Sequence, residues 1–289
     1  MLLALALGLS TTISSAKVIK IGSISDEPTR ESKRLRDFAR YLAVELADRD
    51  VEAVDVVIAP STHSMAQMLR DGRVDFYIDG AYPTAIVTRA TGSRPVLRRW
   101  RSDGPDHRSV LFVRASSSIR TLPDLRGATI ALEGRFSTAS YFLPKAAVAG
   151  AGLEIREIEG VPPDDVVAYR FSGDDRNTLL WVLRGKTQAG AMSLSDYERL
   201  SQRKRDELRV LHTSQPVDRS LISHRRQLDD ATVDDVKRIL LNMHQTYVGQ
   251  IVLSNFEGTT KFEEFLGGTT SLMTTMRGVG RGLSDELGF

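Results

Sequence analysis

Short apolar runs alternate with amphipathic stretches along most of this chain, and that alternation predicts its elements. Residues 18–22 (Val-Ile-Lys-Ile-Gly) form a first apolar run that ends on a glycine and reads as a strand. Between Glu31 and Asp48 the apolar positions are Leu35, Phe38, Ala39, Leu42 and Leu46. This i, i+3, i+4 spacing predicts a helix with one buried face. Strands follow at 54–58 and 74–78, each leading into a helix, one opened by the polar stretch 61–64 and one by 82–87. Strand and helix alternating at this spacing is the signature of parallel βαβ units. The longer run 109–113 has no helix directly before it, and the stretch 122–127 (Leu-Pro-Asp-Leu-Arg-Gly) marks a break. A second alternation then runs through strands at 129–132, 155–158, 187–192 and 208–212, with helices at 142–149, 176–183 and from 195. A last helix is expected over 232–248, and the Gly-, Ser- and Thr-rich residues after Gly267 read as a loose tail.

Two such runs imply two α/β lobes. The crossings between them are expected near 110–113 and 208–211. The expected organisation is residues 17–111 in the first lobe, 112–210 in the second, 211–266 returning to the first, and 267–289 as the tail. Ligands of open α/β folds bind at the carboxyl ends of the strands. The post-strand loops 23–29, 61–64, 80–83 and 137–141 are therefore expected to line one crevice.

The last of these loops carries the most chemistry. Ser137, Thr138, Ala139 and Ser140 stand between a strand and a helix. Helix starts hold unpaired N–H groups and a partial positive charge, so they accept anions, and hydroxyls there add donors. The same residues also suit a plain helix cap. Both readings use one helix end.

Composition narrows the classes. The chain has 289 residues, of which 41% are hydrophobic and 26% charged, with a formal net charge of +2. That balance is ordinary for a globular protein, and with the basic residues scattered it points away from nucleic acid. No cysteine is present, which removes disulfides, thiolate metal sites and cysteine nucleophiles. Residues 1–16 are uncharged and apolar at first and end Ser14-Ser15-Ala16. This resembles the core and cleavage region of a secretory signal peptide, so export is expected, with a mature start near Lys17.

Taken together, the motifs resemble one family. Residues 18–22, then 72–76 with Gly80-Ala81-Tyr82, then 108–113, then Leu122-Pro123-Asp124-Leu125-Arg126-Gly127 look like the phosphate/phosphite/phosphonate-binding proteins of bacterial ABC importers. Ser137-Thr138-Ala139-Ser140-Tyr141, followed by Pro144-Lys145, is similar to the most telling motif of that family. The resemblance covers roughly residues 18–265. It implies a type 2 periplasmic binding protein: two lobes, each a mostly parallel sheet flanked by helices, joined by two hinge crossings. It further implies a monomer in the periplasm that closes on a small oxyanion and passes it to an ABC permease, touching the membrane only through that partner. The same fold can instead report a ligand to a membrane histidine kinase.

By the same resemblance Ser137 and Thr138 match the oxyanion hydroxyls, Ala139 a backbone donor, and Tyr82 an aromatic or polar residue at a first-lobe turn. Two positions depart from the family pattern. Asp175 stands where a His is common, and Arg176 beside it can pair with the acid or face the ligand. After Gly190-Ala191-Met192 comes Ser193 in place of an acid or amide that holds the ammonium of aminoalkyl phosphonates. These departures argue against an aminoalkyl phosphonate and favour smaller oxyanions or an altered ligand.

The remaining candidates are weaker. The five histidines show no metal-site spacing, and no cofactor or metal is expected. His107 lies near the expected cleft and can donate to an oxyanion; His63 has the same choice between that role and a capping one. Asp26 and Glu27 read as solvated loop acids. Arg98, Arg99 and Arg101 around Trp100 read as a surface loop. The stretch around Ser137 lacks the glycines of a nucleophile elbow, so no catalytic residue is expected.

Overall fold

In a computed structural model of the chain, residues 17–287 are described. The signal-peptide reading of residues 1–16 falls outside the described residues. The strands are β1 (Lys17–Ile24), β2 (Val51–Ala59), β3 (Phe76–Asp79), β4 (Arg94–Arg101), β5 (Asp106–His107), β6 (Ser109–Arg114), β7 (Thr129–Leu132), β8 (Glu154–Glu157), β9 (Val166–Phe171), β10 (Ala189–Ser193), β11 (Leu208–Thr213), β12 (Val217–Asp218), β13 (Leu221–His224) and β14 (Thr259–Glu264). They form two six-stranded sheets, ordered β14-β4-β13-β3-β1-β2 and β11-β6-β10-β7-β9-β8. A two-stranded ribbon, β5 with β12, joins them.

The expected mostly parallel pairing holds only in part. β1, β2 and β3 pair in parallel, as do β7, β8, β9 and β10. The strands next to the crossings, β4, β6, β11, β13 and β14, pair antiparallel. The sheets are therefore mixed. In the first sheet the reversal comes from the return crossing, whose strand β13 inserts between β4 and β3 and runs antiparallel to both. The crossings themselves lie at residues 102–108 and 214–220. The runs 109–113 and 208–211 are strands within the second sheet.

Helices cover the sheets: α1 (Pro28–Glu45), α2 (Thr62–Arg70), α3 (Ala81–Thr91), α4 (Leu143–Gly150), α5 (Asp175–Leu183), α6 (Leu194–Glu198), α7 (Gln202–Asp206), α8 (Asp230–Asn242), α9 (Tyr247–Asn255), α10 (Gly268–Val279) and α11 (Ser284–Leu287). The expected apolar positions Leu35, Phe38, Ala39 and Leu42 of α1 are buried, as is Leu46 at its C-terminal cap, and all but Ala39 belong to the apolar core of the first sheet. The helix expected over 232–248 is two helices. Its first part ends at Asn242, and Thr246 caps the second by accepting the Gly249 N–H at 3.0 Å.

Residues after Gly267, expected to be loose, form α10, whose Leu272 and Met276 are fully buried. They belong to an apolar cluster that includes Tyr82 and Ala85 from α3, Phe142, and the second-sheet strand residues Leu111, Ile130 and Val167. The second lobe's core therefore runs into the first lobe. Glu286 of α11 closes this side: it accepts from Tyr82 Oη at 3.1 Å and from Tyr141 Oη, and pairs with Lys145 Nζ at 2.7 Å. Small polar residues concealed the pattern, because Gly, Ser and Thr contribute little hydropathy while two apolar side chains one helical turn apart suffice to seat a helix.

Candidate functional site

The parallel strands of both sheets end on one cleft. The residue or residues following β1, β3, β7 and β9, or closing them, supply Ser25, Asp79, Glu133 and Gly173 to a cavity of about 620 Å³. A second cavity, about 350 Å³, adjoins it at Glu133, Ser137 and Glu257 and reaches the crossing ribbon. Another hollow, about 740 Å³, lies behind the ribbon around Arg98, Lys261 and Leu266. None of the post-strand loops reaches it, so strand direction and not size identifies the cleft.

The strand–helix junction at 133–142 is built as a cap. Ser137 Oγ accepts the Ser140 N–H at 3.0 Å, and residues 138–142 wind as a single π turn before α4. Wide turns of this kind change which side chains face a site. Ser137, Ala139 and Ser140 line the smaller cavity. Thr138 turns the other way. It is buried, and its Oγ1 accepts the Tyr82 N–H at 3.0 Å across the lobes. Gly80 permits this approach: a Cβ there would come within 2.6 Å of Thr138 Oγ1.

Tyr82 follows Thr138 away from the cleft. Its ring stacks on Phe142 with centroids 4.5 Å apart, and its hydroxyl donates to Glu286. Neither Tyr82 nor Thr138 lines either cavity. The same is true of residues 61–64 and 80–83, two of the loops expected to face the crevice. The substitution Thr138→Val should therefore act on stability. It leaves a buried N–H unpaired, which costs about 1–3 kcal/mol, while affinity for a cleft ligand should change less than threefold. Thermal melts and calorimetry on the variant read both effects, and a large loss of affinity with unchanged melting would place Thr138 in the site.

The hydroxyls of the junction already serve carboxyl groups. Ser140 Oγ donates to Asp175 Oδ1 at 3.3 Å, and the Ser137 and Ser140 hydroxyls favour the ionised form of Glu133. Asp196 joins them through the same cavity, with Ser193 Oγ as its partner. Burial pushes the Asp175 carboxyl up to about 8, and the charges of Glu133 and Asp196 push the same way. Burial also raises Glu133. Asp175 and Asp196 each sit in the first turn of a helix, α5 and α6, where the macrodipole favours negative charge. The chain thus supplies its own acids at its helix starts. Arg176, expected to pair with Asp175 or face the ligand, is exposed on α5 and lines neither cavity.

The opposite wall is basic, and the sequence reading missed it. Arg99 and Arg101, expected in a surface loop, lie on β4 and line the smaller cavity with Arg219 and His107. The alternation in 97–101 is real, but arginines at the inward positions hide it from any hydropathy pattern. Arg99 pairs with Glu257 at 2.7 Å, and Arg219 with Asp103 at 2.7 Å. Glu257 also pairs with Arg34. Although burial favours the neutral acid, Arg99 and Arg34 hold the Glu257 carboxyl down at about 2. Its backbone sits at φ +53°, a left-handed conformation that non-glycine residues adopt at a cost. His107 is neutral: burial, then Arg219 and Arg99, depress its imidazole to about 3.

The larger cavity is acidic on its first-lobe side. Asp26, Glu27, Glu31 and Asp79 line it, with Arg30, Arg34 and Arg135 between them. Burial raises the Asp79 carboxyl to about 7, against the N–H groups of Ile24 and Gly80 at 2.9 Å that favour its ionised form. The acid missing at Ser193 is thus offset by others that no local motif announced. The described residues contain no cluster of His and acidic side chains able to hold a metal, and no helix long and apolar enough to cross a membrane.

Two mixed α/β sheets, two crossings and a cleft at the strand ends define a type 2 periplasmic binding protein. The chain belongs to the family described as the phosphonate periplasmic substrate-binding proteins of ABC transporters, whose model matches residues 21–266. Solved structures share the fold. The protein XAC2383 from Xanthomonas citri, bound to chloride, is 24% identical with a TM-score of 0.82, covering 93% of this chain and 98% of that one. A second structure of it holds ATP. PhnD1 from Prochlorococcus marinus, in complex with methylphosphonate, is 18% identical with a TM-score of 0.70, covering 93% and 99%. A phosphonate-transporter binding component from Pseudomonas aeruginosa is 17% identical with a TM-score of 0.68, covering 92% and 86%.

Proposed function

We propose that this protein binds a small oxyanion of the phosphate, phosphite or phosphonate class in the cleft between its sheets and delivers it to an ABC permease. The observation that carries this reading is the smaller cavity. It brings four arginines, Arg99, Arg101, Arg199 and Arg219, against the helix start at Ser137–Ser140. Membership of the phosphonate-binding family agrees with it. Guanidinium groups suit tetrahedral oxyanions because their planar forks donate in pairs. A protonated Asp175 adds a donor from the second lobe; ionised, it would repel the same anion. Closure of the two lobes about the crossings would then remove the anion from water. Export of the mature chain to the periplasm, and a monomeric state, belong to the same proposal.

Calorimetry of the mature chain against phosphate, phosphite, methylphosphonate, aminoethylphosphonate and sulfate tests it. A phosphorus oxyanion should bind, and more weakly above pH 8 than at pH 7, as Asp175 ionises. Binding of none of the phosphorus compounds, with a non-phosphorus solute bound in their place, would defeat the proposal.

A further inference from the structure

The smaller cavity is balanced in charge. Its four arginines face four carboxyl groups, those of Glu133, Asp175, Asp196 and Glu257. Most of these charges already have a partner. Arg99 pairs with Glu257, Arg199 with Asp196, and Arg219 with Asp103. Arg99 and Arg219 are also nearly sealed, at 6% and 5% exposed. Among the described residues, Glu133 and Asp175 are the two acids of the cavity with no cation at ion-pair distance. Both residues are half-buried and not sealed. Burial and the charges of Glu133 and Asp196 hold Asp175 toward its neutral form. At Glu133 burial acts the same way, but the hydroxyls of Ser137 and Ser140 oppose it. With a proton on Asp175, the walls carry one positive charge in excess, which matches a monoanion better than a dianion.

Position singles out Glu133. It follows β7 directly and lines both cavities, so it stands where they meet. Two backbone bonds fix it there. Its N–H donates to Ser140 O at 3.3 Å, and its carbonyl accepts the Gly173 N–H at 3.0 Å. An ionised carboxylate accepts hydrogen bonds and donates none. A fully deprotonated tetrahedral anion is in the same position, so the two repel. An anion that keeps one proton can donate it instead.

We propose that Glu133 determines which oxyanions this cleft takes: it accepts a hydrogen bond from an acidic O–H that the bound anion retains. The cleft then holds phosphorus oxyanions as protonated monoanions and turns away sulfate and sulfonates. This inference rests on the oxyanion reading above and narrows its substrate class. Phosphorus oxyanions titrate close to neutral pH and can keep that proton. Sulfate and sulfonates are the anions of much stronger acids and do not. The arginines attract both kinds of anion, so they give no such choice. Rejection comes from a carboxylate left facing an oxygen that has nothing to donate.

Methylphosphonate and methanesulfonate provide the test, because the protonated phosphonate and the sulfonate share charge and shape and differ by one hydrogen. Calorimetry of the mature chain near pH 7 should find the phosphonate bound about ten- to a hundredfold more tightly, the value of one hydrogen bond to a charged group. In Glu133→Gln that ratio should fall within about threefold, chiefly because the amide can donate to the sulfonate. The ³¹P resonance of bound methylphosphonate should stay at the monoanion position at pH 8, a readout that needs no variant. Phosphate against sulfate is the second pair, used in the same way if methylphosphonate does not bind. Three results would each overturn the inference and leave the oxyanion reading standing: a sulfur compound bound within about threefold of its phosphorus counterpart, a larger ratio that Glu133→Gln leaves unchanged, or a bound phosphorus compound that is a dianion at pH 8. If no phosphorus oxyanion binds the wild-type chain, both fail.

Discussion

Asp175→Asn should stabilise the unliganded protein at pH 8 and leave it nearly unchanged at pH 4. The Asp175 carboxyl is pushed up to about 8 from an ordinary 3.8, by burial first and then by Glu133 and Asp196. Between those values the folded chain holds a proton that the unfolded chain releases. Stability therefore falls as pH rises through that window, and the whole loss is present above pH 8. Asparagine does not ionise, so the variant escapes the loss. The carboxyl is shared with Glu133 and partly open to the cleft, so a gain on the order of 2–3 kcal/mol is expected rather than the full value of the shift. For a chain of this size that is roughly 3–5 °C in melting temperature. Melts of both proteins from pH 4 to pH 9 measure it. A variant no more stable than wild type at pH 8 would mean that Asp175 is not held protonated, and would withdraw the donor role given to it above.

The largest loss of stability is expected from Phe142→Ala. Phe142 is fully buried, stacks on Tyr82 of α3, and belongs to the core that the second sheet shares with α3 and α10. Emptying such a site costs about 3–5 kcal/mol, the spread depending on how far the walls collapse. That corresponds to roughly 5–8 °C in melting temperature. Tyr82→Phe provides the contrast. It removes only the hydroxyl that donates to Glu286, which keeps Tyr141 and Lys145 as partners, so about 1 kcal/mol is expected. Chemical denaturation followed by tryptophan and by far-ultraviolet dichroism reads both variants. A loss below about 1 kcal/mol for Phe142→Ala would show that α3 does not depend on the second lobe's core.

The outcome at Tyr82 and Thr138 illustrates how site residues and framework residues resemble one another in sequence. Both stand in post-strand turns, and both carry hydroxyls where ligand contacts are expected. They meet each other across the lobes, because Gly80 lets the first turn of α3 approach the π turn at 138–142. Ser137, Ala139 and Ser140, from the same stretch, face the cavity. A π turn shifts side-chain directions by an amount that no 3.6-residue period predicts, so the division among neighbours was illegible before folding. Arg99 and Arg219 were hidden for another reason. They are charged residues at buried positions, so hydropathy marked them as surface, and their partners Glu257 and Asp103 are 158 and 116 residues away.

By itself the sequence determined the alternation of strands and helices, the two-lobed α/β class, the family, and the junction at Ser137–Ser140. These depend on local periodicity, on caps and on short contiguous motifs, all carried by neighbours along the chain. Only the tertiary structure decided the strand directions beside the crossings, the packing of α10 and α11, and the charge of the cleft. Its basic corner and its acids are assembled from β4, β5, β7, α5, α6 and the return crossing. Pairing between charges so far apart in the chain depends on distance in space, and space is what the linear pattern does not record.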